Sequence, residues 1–179
     1  MSIWEPEKVE SWGADLYGDP CRECGFAWRI TPDQAVDLVR NIPTTYSRLL
    51  EHRTGFERHP DLTWNASAYV SHVTDNLRIW AERLAGARLS RAREVAAYDQ
   101  DLLAEAKSYN EIDLSGALWS LTDAVNAWLD SVTLARQRDV TLLHASRGIQ
   151  TVDDVARNNA HDGIHHAWDI QRIVNYVEE

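Results

Sequence analysis

The chain has 179 residues, 44% of them apolar and only 8 of them glycine, enough to bury the core of one globular domain and far from the composition of a disordered segment. Its formal charge of -10, from 18 basic and 28 acidic residues with no basic cluster, has the wrong sign for a groove that neutralises phosphates, which argues against nucleic acid as a partner. The opening MSIWEPEKVE has neither the basic start nor the apolar core of a signal peptide, and no apolar run approaches the roughly 18 residues needed to cross a bilayer, so no membrane association and a cytoplasmic location are expected.

Residues 1–30 carry Pro6, Gly13, Gly18, Pro20 and Gly25, with Trp4, Trp12, Tyr17, Phe26 and Trp28 between them. So many aromatics predict an irregular but ordered arm, because a free tail would leave large apolar areas in water. Within it, Cys21-Arg22-Glu23-Cys24-Gly25 has the spacing of half a zinc knuckle. A closed zinc site takes four ligands and there is no second cysteine pair, so histidines would have to complete it. A redox pair and two reduced, packed cysteines are the alternatives.

Residues 31–179 read as helical. Thr31-Pro32-Asp33-Gln34 predicts an N-cap, a first-turn proline and a capping-box glutamine. A helix carrying Val36, Val39, Ile42, Tyr46, Leu49 and Leu50 follows, with a kink or break expected at Pro43. Tyr69, Val73, Leu77, Trp80 and Leu84 place a second helix from Asn65 or Ser67 to Leu84, and Gly86 and Tyr109-Asn110 suggest turns around a short helix. A third long helix begins after Asp113. The fourth starts at Thr151, capped reciprocally by Asp154, and runs to the end. No convincing alternating strand appears. Four amphipathic helices that cannot bury their stripes singly predict an all-α four-helix bundle.

Three histidines carry the chemistry. His161 and His165, in NNAHDGIHHAWD, are four apart and project from one helix face, while His72, in YVSHVTDNL, lies on the second helix. Three nitrogens from facing helices make a metal site with a coordination position left open. His166 lies about 100 degrees round the helix from His165 and is expected to face elsewhere, and Asp162 is expected to point away from the metal face. His52, His59 and His144 fall in less regular stretches and are not expected to join the set. Asp75, three after His72, and Asp169, four after His165, are candidates to accept a ligand's ring N–H.

The pieces WNASAYVSHVTDNLRIW at 64–80 and TVDDVARNNAHDGIHHAWDIQRI at 151–173 resemble the DinB/YfiT-like metal-dependent bundles, whose relatives include mycothiol-dependent maleylpyruvate isomerases. The resemblance runs over roughly residues 31–177 in helix order. It implies an up-down-down-up four-helix bundle with a divalent metal, zinc or nickel, on His72, His161 and His165. It also implies a low-molecular-weight thiol such as mycothiol as a candidate cosubstrate. The isomerase branch often has glutamate where His161 stands, so an all-histidine set points to the broader family. The arm lies outside the shared core.

The resulting expectation is a metal-dependent enzyme acting on a small molecule, foremost a thiol transferase that presents a metal-bound thiol to an electrophile. A metal-dependent hydrolase is the alternative, and a noncatalytic metal- or ligand-binding bundle, such as a homodimer formed through its outer faces, is the competing class. Trp64, Trp80 and Trp168 are candidate pocket residues, with core packing the plainer role for each.

Overall fold

The computed structural model describes residues 10–90 and 92–178. A short helix α1 (Ala14–Tyr17) sits in the arm; then come α2 (Pro32–Leu49), α3 (Ala66–Ser90), a two-residue strand β1 (Glu94–Val95), α4 (Gln100–Ala106) and α5 (Leu114–Arg136). A hairpin, β2 (Thr141–His144) and β3 (Gly148–Thr151), leads into α6 (Val152–Glu178). The four long helices α2, α3, α5 and α6 form the bundle, with α3 against α5, α2 against α6, and α6 also against α3. No helix among the described residues is long and apolar enough to cross a membrane.

The helix starts follow from local chemistry. Thr31 and Gln34 cap each other, Gln34 N donating to Thr31 Oγ1 at 3.2 Å and Thr31 N to Gln34 Oε1 at 2.8 Å. Thr151 and Asp154 repeat the exchange at 2.9 and 3.1 Å, and Asp113 caps α5 through Ser115 N at 3.0 Å. The break expected at Pro43 is absent, because α2 is continuous from Pro32 to Leu49. Val39, Ile42 and Tyr46 are buried around the proline, and that packing holds the helix together against the roughly 3 kcal/mol an interior proline costs. Gly86 is no turn either: α3 runs on to Ser90 and buries Ala87.

A small sheet was not legible in the sequence. β1 pairs in parallel with β2, and β2 pairs antiparallel with β3. Strands of two and four residues are too short to display an alternating pattern, so only the assembled fold reveals them.

Two features fix how the helices meet around the site. Residues Ala66 through Asp75 of α3 are all buried, so this half of the helix is core on every side rather than along one stripe. Its entry is held by Asn65, whose N and Nδ2 donate to Asn110 Oδ1 and O at 3.0 and 2.9 Å, and by Ser67 Oγ donating to Ile112 O at 2.7 Å. On α6, Tyr46 OH donates to Gly163 O at 2.8 Å, and a Cβ at Gly163 would overlap Ile42 Cδ1 and stand 3.0 Å from Ile42 Cγ1. Gly163→Ala is therefore expected to destabilise. The overlap costs about 1–3 kcal/mol, offset by roughly 1 kcal/mol of regained helix propensity. Urea unfolding checks this, and adding Ile42→Val, which removes Cδ1, should recover the loss.

Of the arm, residues 10–30 are described, and Trp4 and Pro6 lie outside the described residues. Cys21, Phe26 and Trp28 are buried against the bundle. Glu10 N donates to Ser146 O at 2.7 Å, and Arg157 Nε of α6 donates to Ile30 O at 3.0 Å.

Candidate metal centres

Helix α6 carries two overlapping pairs at four-residue spacing, His161 with His165 and Asp162 with His166. The pairs differ by one residue, hence by about 100 degrees round the axis, and the bundle turns them toward different partners. The three histidines expected to converge are thereby separated. His72 groups with Asp162 and His166, whereas His161 and His165 group with Cys21 and Cys24; within each group one ligand atom per residue lies within 4.8 Å of every other.

In the first group Asp162 is central, with Oδ1 3.5 Å from His72 Nε2 and 3.6 Å from His166 Nε2. Tetrahedral donors bound at about 2.0–2.1 Å to zinc stand roughly 3.4 Å apart, so these separations fit one ion. His72 Nε2 is buried, and no atom meets hydrogen-bonding geometry with it. His166 Nδ1 lies 2.9 Å from Asp169 Oδ2. A carboxylate only accepts, so Nδ1 carries the proton and Nε2 faces the cluster as a donor atom. The rings of Trp64 and Tyr69 flank His72 and His166 at 5.1 and 5.2 Å.

The electrostatics follow. Burial pushes the Asp162 carboxyl up, but the imidazoles of His72, His166 and His161 outweigh it and hold it at about 2. Burial lowers the His166 imidazole, and its hydrogen bond to Asp169 with the charge of Asp162 raises it above the ordinary value.

In the second group Cys21 Sγ lies 3.9 Å from His165 Nδ1, and His165 Nε2 lies 3.4 Å from Glu23 Oε2. His161 Nε2 is buried with no hydrogen-bond partner, its ring enclosed by Tyr17 and Trp28 at 4.5 and 4.6 Å. Burial, with His165 adding to it, pushes the His161 imidazole down to about 4. Both cysteines are free thiols. Burial pushes the Cys24 thiol up to about 11, opposite to the activated thiolate a redox pair uses.

The other sequence expectations fare unevenly. His166, expected to face elsewhere, stands beside His72, their ring centroids 4.7 Å apart. Asp162, expected to point away from the metal face, turns toward His72, because its place one residue after His161 rotates it about 100 degrees round α6. Asp169 accepts from His166 Nδ1 at 2.9 Å rather than from His165. Asp75 is not beside the His72 ring nitrogen described above: it accepts from Tyr109 OH at 2.5 Å and Lys107 Nζ at 2.6 Å on the side of α3 facing the Tyr109–Glu111 turn. His52 and His59 lie outside both groups, and His144 stacks on Trp80 at 6.0 Å. One signal was available in the sequence: CxxC and HxxxH together supply four ligands, which would have freed the second i,i+4 pair for His72.

A cavity of about 280 Å³ reaches both groups, with Asp162 of the first and His161 of the second in its lining together with Tyr17, Trp80, Arg83 and Asn158. Arg83 stacks over the Trp80 ring at 4.6 Å, and burial lowers its guanidinium from the ordinary value. Arg83 Nη1 and Asn158 Nδ2 are buried donors without a partner. The described part of the arm closes one wall and the hairpin another.

The architecture, four long helices packed as a bundle to which a short sheet and an arm are added, is a YfiT-like four-helix-bundle fold. Among solved structures it is similar to YfiT from Bacillus subtilis, a probable metal-dependent hydrolase with an unusual four-helix bundle topology. The match has a TM-score of 0.72 at 18% sequence identity and covers 82% of this chain and 87% of that one. No protein-family model matches the sequence, and no curated protein matches it.

Proposed function

We propose that the chain is a metal-dependent hydrolase of small molecules that carry an anionic group, working at His72, Asp162 and His166. The observation that carries this reading is the three-ligand group beside a cavity, since catalytic zinc sites use three protein ligands and keep a position open whereas structural sites are closed. The likeness to YfiT, itself a probable hydrolase, supports the same class. A divalent ion held there supplies Lewis acidity and lowers the pKa of the water it binds.

The chain's own residues do the rest. Asp169 holds the proton on His166 Nδ1 and so fixes the ring with Nε2 toward the ion site. Trp64 and Tyr69 exclude water from the far side of the imidazoles. Arg83 Nη1 and Asn158 Nδ2 donate to the anionic group of the substrate, satisfying two donors that are otherwise buried without partners.

Thiol transfer is the second reading, and one observation favours it. Asp162 puts a carboxylate in the ligand set, as the thiol-dependent isomerase branch often has, so an all-histidine set no longer argues against that branch. The test is a metal-reconstituted screen scored by mass spectrometry, with acid-bearing esters and amides in water in one arm and small thiols with activated electrophiles in the other. Hydrolysis that chelation abolishes is expected. Product that forms only with thiol moves the assignment to transfer, and turnover in neither arm moves it to a binding role. For the hydrolysed substrate, Arg83→Gln should raise KM by about 10- to 100-fold with kcat little changed, the mark of a group that binds ground and transition states alike.

A further inference from the structure

We propose that Cys21, Cys24, His161 and His165 form a second metal site, a closed four-coordinate zinc clamp that fastens the N-terminal arm to α6. The site is separate from the one at His72 and does not depend on it.

Both halves are built for convergence. In the arm, Cys21 N donates to Phe26 O at 2.8 Å and Gly25 N donates to Cys21 O at 3.0 Å. This closes a tight turn that Gly25 completes at φ 74°, a conformation side-chain-bearing residues rarely adopt. Nothing lies within 4 Å of a Cβ at Gly25, so the glycine serves the backbone rather than making room. The turn brings both sulfurs to one side, where they meet two imidazoles projecting from one face of α6. All four ligand atoms lie within 4.8 Å of one another.

The donor set and spacing are those of a structural zinc site, C-x₂-C with H-x₃-H. With bonds of about 2.3 Å to sulfur and 2.0–2.1 Å to nitrogen, tetrahedral zinc separates S and N by roughly 3.6 Å; Cys21 Sγ and His165 Nδ1 stand 3.9 Å apart. His165 Nε2, on the other side of the ring, is 3.4 Å from Glu23 Oε2, a carboxylate placed to accept the remaining N–H and hold Nδ1 toward the site. His161 Nε2 is a buried nitrogen with no partner. Binding converts both thiols to thiolates and releases their two protons to solvent, and no oxidant or reductant is needed.

The clamp joins residues 144 positions apart and bears on the neighbouring cavity, because Tyr17, packed on the His161 ring, also lines that cavity. His161 lines that cavity as well, so metal in the clamp fixes part of the wall beside Asp162.

The test takes the full chain, reduced and stripped of metal, and reloads it with cobalt(II) or zinc. Cobalt(II) should give a near-ultraviolet thiolate-to-cobalt charge-transfer band and the intense visible bands of four-coordinate cobalt, and zinc should abolish both. Zinc-loaded thiols should resist a thiol-specific reagent until a chelator is added. Cys21→Ser/Cys24→Ser should lose the charge-transfer band and one metal equivalent, whereas His72→Ala should keep the band and lose the other equivalent. Absence of the band in the reduced wild-type chain, or thiols that react equally fast with and without zinc, overturns the proposal even if the serine variant does not fold. Retention of both equivalents by folded His72→Ala would count against the hydrolase centre and leave the clamp standing.

Discussion

His166→Ala is expected to lower turnover by more than the roughly 10- to 100-fold that loss of a ligand's hydrogen-bond partner costs, and to remove one metal equivalent. His166 is one of only three protein ligands at the proposed centre, so its loss leaves His72 and Asp162, too few to hold an ion in fixed geometry. Asp169→Asn should fall within that 10- to 100-fold range, because an amide can present N–H to Nδ1 and so ceases to fix the ring. Both variants leave the Cys21–Cys24 turn untouched. The measurement is kcat beside metal content on protein whose circular dichroism matches wild type. A folded His166→Ala chain with wild-type turnover would remove His166 from the site. In that variant Asp169 remains buried but keeps Arg172 Nη1 at 3.6 Å, which limits the stability cost of the lost imidazole.

Trp128→Ala should be among the most destabilising substitutions, at about 3–5 kcal/mol. Trp128 is fully buried on α5 and is the largest side chain in the core to be so. Its Nε1 donates to Asn159 Oδ1 at 2.9 Å, and Asn159 Nδ2 in turn donates to Asn76 Oδ1 at 2.6 Å. Trp128→Phe keeps a benzene ring but removes the pyrrole half of the indole with its N–H, so the expected loss, smaller than for Ala, combines a partial cavity with about 1–3 kcal/mol for leaving Asn159 Oδ1 without its donor inside the core. Urea unfolding of metal-free protein gives both values without the added stability of bound ions. Equal destabilisation by Ala and Phe would mean that the hydrogen bond, not the volume, dominates. Asn76 and Asn159 also line the cavity, so Trp128→Phe tests whether this chain of amides sets the cavity's shape as well.

Much of the fold was legible because it is written in local rules. The caps at Thr31, Asp113 and Thr151 need only the chemistry of a few adjacent residues, and the four apolar helices follow from a period that any single segment displays. Pro43 does not break α2, because its local cost is outweighed by packing around Val39, Ile42 and Tyr46, which a one-segment reading does not contain. The strands were hidden by their length, and Asp75 by a turn, Tyr109–Glu111, that folds back from more than thirty residues away to claim its carboxylate.

The sequence by itself supplied candidate donors: a histidine on the second bundle helix, the His161–His165 pair on the last one, and a CxxC turn in the arm, with His166 and Asp162 expected to face elsewhere. Which pair meets which partner was decided by tertiary structure alone. His161 and Asp162 are neighbours in sequence, yet one faces the arm and the other faces His72, and only the rotation of α6 about its own axis separates the two outcomes. That rotation is fixed by contacts from α2, where Gly163 lets Ile42 approach and Tyr46 holds the Gly163 carbonyl. A helix's pattern states which residues share a face; its neighbours decide where each face looks.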